Sequence, residues 1–194
     1  MKMGMIGEIL SFIAGIVASF IAWLLVAQII RPHIELSDKI EKEKTYVENR
    51  PYIYRVKVKN KNWCWKVFDV NVYGKVKIRG LNTERPDDIK SFLLKVGNGI
   101  TPYINPYRGN SDNTKGLVIK VPNSGKSQNG QLKKLYCRYH KTKATDYLGL
   151  SEVFDIYDEL DIEVEISLIC THIFSGARSI TTKTYRKEDI EERV

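Results

Sequence analysis

The sequence predicts a mainly β protein: an antiparallel β-sandwich of about seven to eight strands behind one transmembrane α-helix. Three observations predict it. Residues 9–30 carry no charged side chain. Most of the chain beyond residue 30 alternates apolar and polar residues with period two, the pattern of a sheet with one dry and one wet face. Short clusters rich in Gly, Pro, Asn and Asp separate the alternating runs.

The helix comes first. The uncharged run Ile9–Ile30 makes roughly 33 Å of helix at ~1.5 Å per residue, against a hydrocarbon core of about 30 Å. Ser11, Ser19 and Gln28 are its only clearly polar side chains, so it lacks the wet face of an ordinary amphipathic helix. A cleaved signal would have a shorter apolar stretch and a small-residue site after it. Here the run passes through Gln28 and Ile30 directly into Arg31-Pro32. Lys2 precedes the span, whereas Arg31, Lys39, Lys42 and Lys44 come after it. That asymmetry predicts the N-terminus outside and the main domain in the cytoplasm, at the inner membrane. Ala14, Ala18 and Ala22, with Gly15 and Ser19 beside them, form a stripe of small residues that favours close helix–helix approach and a homo-oligomer. The expected layout is a tail over 1–8, the helix over 9–30, a juxtamembrane segment with a possible first strand over 31–50, the sandwich over 51–187 and a charged tail over 188–194.

The strands come next, in chain order. A weak strand is expected around Ile34–Leu36. Tyr52, Tyr54, Val56 and Val58 alternate with Arg55, Lys57 and Lys59. Phe68, Val70, Val72, Val76 and Ile78 alternate with Asp69, Asn71, Lys75 and Lys77, and Gly74 within this run is expected to mark a bulge or bend. Weaker strands are expected over Ser91–Val96, Leu117–Val121, Leu132–His140 and Arg178–Arg186. A short helical turn is expected before the strongest late strand, in which Ile162, Val164, Ile166, Leu168 and Cys170 alternate with Asp161, Glu163, Glu165 and Ser167. If the basic and acidic rows belong to neighbouring strands, they form cross-strand ion pairs. This count of short strands is that of an immunoglobulin-like sandwich, with a small barrel as the alternative.

Composition narrows function without naming it. A net charge of +8 favours anionic partners: nucleic acid, nucleotides or an anionic membrane face. Cys64, Cys137 and Cys170 are odd in number and widely spaced, which suits thiols in a reducing compartment better than a disulfide or zinc framework. His33, His140 and His172 have no partners at metal-ligand spacing, so no metal or cofactor is expected. Gly125-Lys126-Ser127 invites a phosphate-loop reading, but Lys120 stands where that loop needs its first glycine. Cys137 and His140 would point to opposite faces of one strand, a poor nucleophile and base. The chain therefore reads as a non-enzyme.

The most suggestive surface is Lys133–Lys143. Lys133, Lys134, Arg138, His140 and Lys141 stand there among tyrosines, as candidate contacts for an anionic ligand or a membrane surface. Tyr103 and Tyr107, in a loop where Pro-Tyr recurs, are a candidate recognition loop. Trp63-Cys64-Trp65 would expose aromatic surface at a hairpin tip. The expected partners are the lipid bilayer, a second copy of the chain, and a protein or phosphorylated small molecule.

The sequence also resembles a class of small bacterial single-pass membrane proteins of uncharacterised function. The residues that carry the resemblance are Ile34–Lys42, Tyr52–Asn60, Leu160–Ile166, Phe174–Gly176 and Thr184-Tyr185. It implies a membrane-tethered, Ig-like cytoplasmic domain and transfers no catalytic residue. More loosely, the chain is similar to membrane-anchored β-barrel effectors of bacterial antiphage systems that sense cyclic nucleotides. Those usually have two spans.

Overall fold

The computed structural model describes residues 2–29, 31–47, 50–62, 65–81, 87–97, 100–106, 114–121, 132, 135, 148–155, 160–172 and 176–193. Helix α1 (Lys2–Ile29) stands apart, with every residue from Gly7 to Val26 exposed. The strands are β1 (Ile34–Val47), β2 (Arg50–Asn60), β3 (Val67–Arg79), β4 (Ile89–Val96), β5 (Ile100–Ile104), β6 (Lys115–Lys120), β7 (Asp161–His172), β8 (Arg178–Tyr185) and β9 (Ile190–Arg193), with a short helix, α2 (Leu150–Phe154), before β7.

Their order is β8-β7-β3-β4-β6-β2-β1-β9, and β5 lies beside β3 on the same flank as β4. All pairs are antiparallel except β1 with β9. The chain is mainly β behind one apolar helix, as expected, but the described strands form one curled, mixed sheet, a half-barrel, and not a clear antiparallel Ig-like sandwich. Its two halves are continuous because β4 pairs with β6 through Lys95–Lys120 and Val96–Ile119. Strands of 11 to 14 residues, such as β1, β2 and β3, carry enough right-handed twist to coil the sheet on itself.

The curl brings β8 against the start of β1. Side chains, not a backbone ladder, make that seam. Thr181 Oγ1 donates to the Ile34 carbonyl (3.1 Å), Lys183 Nζ to Leu36 O (3.5 Å), and the Tyr185 hydroxyl to Ser37 O (2.8 Å). Lys183 also pairs with Asp38. The three residues alternate along β8, so one face of the strand supplies all of them.

The inward residues of the period-two runs fill the concave side. Val56, Val58, Val70, Val76, Ile78, Val164, Ile166 and Leu168 are fully buried. α2 adds Leu150, Val153 and Phe154, and the Tyr54 hydroxyl holds it by donating to Ser151 Oγ (2.9 Å). Gly74 keeps its place in the inward row. A Cβ there would stand 2.5 Å from Val96 Cγ2 and 3.1 Å from Leu94 Cβ, so the glycine answers a close approach of β4. The irregularity expected at Gly74 lies five residues earlier, at Asp69 (φ 48°), where the β3–β7 register shifts.

Three further expectations change. β1 is much longer than a short strand near Ile34 and pairs with β2 over most of its length. β9 brings residues 190–193 of the expected charged tail into the sheet, so paired strands flank the expected 51–187 domain on both sides. Leu132 and Leu135, placed in a strand by the sequence reading, are helical. Their spacing of three turns both toward the core, which a strand would not do.

Candidate functional site

The sequence-derived site residues fall in three groups. Lys133, Lys134, Arg138, His140, Lys141 and Tyr107 lie outside the described residues, as do Trp63, Cys64 and Cys137. Ala14, Ala18 and Ala22 are exposed on α1. At about 100° per residue they share one face of the helix with Gly7, Ser11 and Gly15. Tyr103 is in β5, not a loop, and is 46% exposed.

β5 is an element that sequence reasoning missed, and it opens a surface of the half-barrel. It occupies the end of β3 that β4 does not reach. β6 pairs with β2 along Lys115–Ile119 but meets β4 only at its last two residues. A split therefore runs between β5 and the first part of β6. At one end the Gly97 N–H donates to Val118 O (2.6 Å), and at the other a bridge joins Pro106 to Asn60. Two open hollows line this split. One, of about 320 Å³, is bounded by Pro102–Asn105 and Thr114-Lys115. The second, of about 280 Å³, is bounded by Thr101, Pro102, Lys115–Val118 and Lys120. Pro102 was the overlooked signal. It has no N–H to give a ladder, so a strand containing it belongs at an edge or an irregularity. It stands beside Tyr103 and Thr101, which face Phe68 and Val70 on either side of the Asp69 irregularity.

The chemistry of the split is cationic and hydrogen-bonding. Lys115 and Lys120 line it with Thr101, Thr114, Asn105 and the Tyr103 phenol, and among the described residues no carboxylate lines it. Tyr103 is held from both sides. Its ring packs on its cross-strand neighbour Phe68 (6.3 Å between centroids), and Lys66 Nζ lies 5.0 Å from its centre.

Near the split, two asparagines join the sheet to the chain leaving α1. The buried Asn60 amide donates to Trp65 O (2.9 Å) and Ile104 O (3.1 Å), and its Oδ1 accepts the Asn62 N–H (3.0 Å). Asn62 Oδ1 in turn accepts the His33 N–H (3.3 Å), and the His33 carbonyl accepts from Lys61 N (2.8 Å). The Asn60 side chain thus ties together the end of β2, the lead into β3 and the end of β5, and the Asn62 side chain adds the chain leaving α1. In the sequence Asn60-Lys61-Asn62 is one of the short turn-forming clusters that separate the alternating runs.

Several titratable groups elsewhere are engaged in structure. Glu165 lies opposite Lys75 and bonds Lys75 (2.7 Å) and Lys77 (2.5 Å), and these two ammonium groups hold its carboxyl below the usual range. Arg186 bonds Glu163 (2.8 Å), and Arg79 pairs with Asp161 (3.7 Å). The basic and acidic rows of β3 and β7 are thus the cross-strand pairs expected. The basic row of β2 pairs instead with Glu41 and Glu43 of β1. Cys170 is a buried free thiol, pushed up to about 11 by burial, so it stays protonated and a poor nucleophile. His172 is buried against the edge of Trp65, and burial lowers its pKa. Among the described residues no group of three His, Cys, Asp or Glu side chains could hold a metal. No protein-family model matches the sequence, and no curated protein matches it.

Proposed function

We propose that the chain is a membrane-anchored, non-enzymatic binding or scaffold module. In this reading α1 crosses the inner membrane once, with its N-terminus outside, and holds the half-barrel in the cytoplasm. α1 carries the reading. Gly7–Val26 has a mean hydropathy of 2.5 and buries nothing against the rest of the chain. In water that surface would be a large aggregation liability; in lipid it is at equilibrium. Tethering confines the domain to two dimensions and raises its effective concentration for membrane partners. The small-residue face of α1 supports self-association in the bilayer.

The test is thiol accessibility in intact cells. A Lys90→Cys reporter, exposed on β4, is placed in a Cys64→Ser/Cys137→Ser background. Protection from a membrane-impermeant reagent until the membrane is opened supports the cytoplasmic placement. Labelling of intact cells reverses it.

The split between β5 and β6 favours a second reading, a sensor–effector that binds a nucleotide or another phosphorylated ligand. Lys115 and Lys120 provide the charge and Tyr103 a stacking face. Titration calorimetry with nucleotides on the full chain tests it. Binding that Lys115→Ala/Lys120→Ala weakens at least tenfold supports the split as the site, and binding unchanged in that variant removes it.

A further inference from the structure

We propose that the end of the half-barrel around the anchor exit is a docking face for anionic lipid headgroups, so that the domain sits down on its own membrane instead of swinging from it. This rests on the reading of α1 as a membrane span.

The first support is the tether. α1 ends at Ile29 and β1 begins at Ile34. Four residues reach at most about 14 Å when fully extended. Pro32 is buried, and both backbone groups of His33 are bonded to Lys61 and Asn62, so much of that reach is already used. Whichever side of the membrane holds the domain, this end stays within a headgroup's depth of the surface.

The second support is what the tether brings there. Strand register places Asn60 beside Ile34, Val67 beside His172, and Arg178 one step from that pair. Arg31, Lys61, Lys66 and Arg178 are exposed at this end. Among the described residues the carboxylates there are Glu35 and Asp69, and Glu35 is already held by Lys61 (2.7 Å). Two exposed aromatics stand between the cations, Trp65 (38%) and Tyr103 (46%). Tyr and Trp are the side chains suited to the headgroup layer, with an apolar body and a polar tip, and basic residues close to a span are drawn to anionic lipid. At the opposite end, where β3 ends and β4 and β7 begin, the described charges are mixed: Asp87, Asp88 and Asp161 stand with Arg79 and Lys90.

Two single-tryptophan forms of the full chain in nanodiscs test the proposal. One keeps Trp23 in α1 (Trp63→Phe/Trp65→Phe) and is read with lipid brominated in its acyl chains. The other keeps Trp65 (Trp23→Phe/Trp63→Phe) and is read with a headgroup-spin-labelled lipid. The expected result is quenching of Trp23 in every disc. Trp65 quenching should be at least twofold stronger in discs with 30% phosphatidylglycerol than in pure phosphatidylcholine. That excess should disappear in 0.5 M NaCl and in the Lys66→Glu/Arg178→Glu variant, and the salt measurement keeps the test independent of how that variant folds. Quenched Trp23 with equal Trp65 quenching in both lipids, or with none, overturns the docking face and leaves the anchor standing. Unquenched Trp23 overturns the anchor, and the docking face with it.

Discussion

Asn60→Ala removes the side chain that clasps the end of β2 to the end of β5 and to the lead into β3. Three hydrogen bonds go with it: to Trp65 O at 2.9 Å, to Ile104 O at 3.1 Å and from the Asn62 N–H at 3.0 Å. The residue is fully buried, so water does not readily replace them. At roughly 0.5–1.5 kcal/mol net for each bond, the loss is about 3 kcal/mol, before any penalty for the orphaned backbone groups. A chain of this size shifts its midpoint by about 2–4 °C per kcal/mol, so the melting temperature should fall by about 6–12 °C. The assay is thermal unfolding of the full chain in detergent, followed by the β-sheet circular dichroism. Asn71→Ala is the matched control, because its amide makes one exposed bond to Asp69 O, and such surface changes fall within about 0.5 kcal/mol. If Asn60→Ala melts within 2 °C of Asn71→Ala, the clasp contributes nothing and the reasoning fails.

Gly74→Ala should destabilise by about 1–3 kcal/mol through overpacking against Val96 and Leu94, and an unchanged melting temperature would mean that β4 can move aside at no cost. Burial lowers the His172 pKa, so its contribution to stability is complete above the unfolded value near 6.5 and is lost as pH falls through the folded value. The melting temperature should therefore drop between pH 7 and pH 5, and His172→Gln should flatten that drop; parallel profiles would refute it. Ala14→Leu/Ala18→Leu/Ala22→Leu should shift the chain toward monomer in detergent cross-linking, because bulk on the small-residue face holds helices apart. An unaltered cross-linking pattern would remove that face as the seam.

The alternating runs read directly as strands because period two records burial on one face, and nearly every inward residue of β2, β3 and β7 is in the core. Ion pairing between β3 and β7 was legible for the same reason: opposite charges stood at matching steps of two alternating runs. β5 was not legible, because five residues containing a proline carry too little pattern to separate a strand from a loop. β9 was hidden by its composition, since Glu191, Glu192 and Arg193 form an exposed edge whose partner is decided by backbone pairing. Leu132 and Leu135 were misread although two leucines three apart fit a helix face and not period two; the spacing was there to be used.

Local chemistry alone decides that one segment is apolar enough for lipid, that the rest alternates, and that cations predominate, because hydrophobicity, periodicity and charge are properties of neighbours along the chain. The curl of the sheet, the split beside β5, and the asparagine clasp where the chain leaves α1 arise from pairings between residues tens of positions apart. A turn signal at Asn60 cannot announce that Ile104 and His33 will meet there. Only closure of the sheet brings them together.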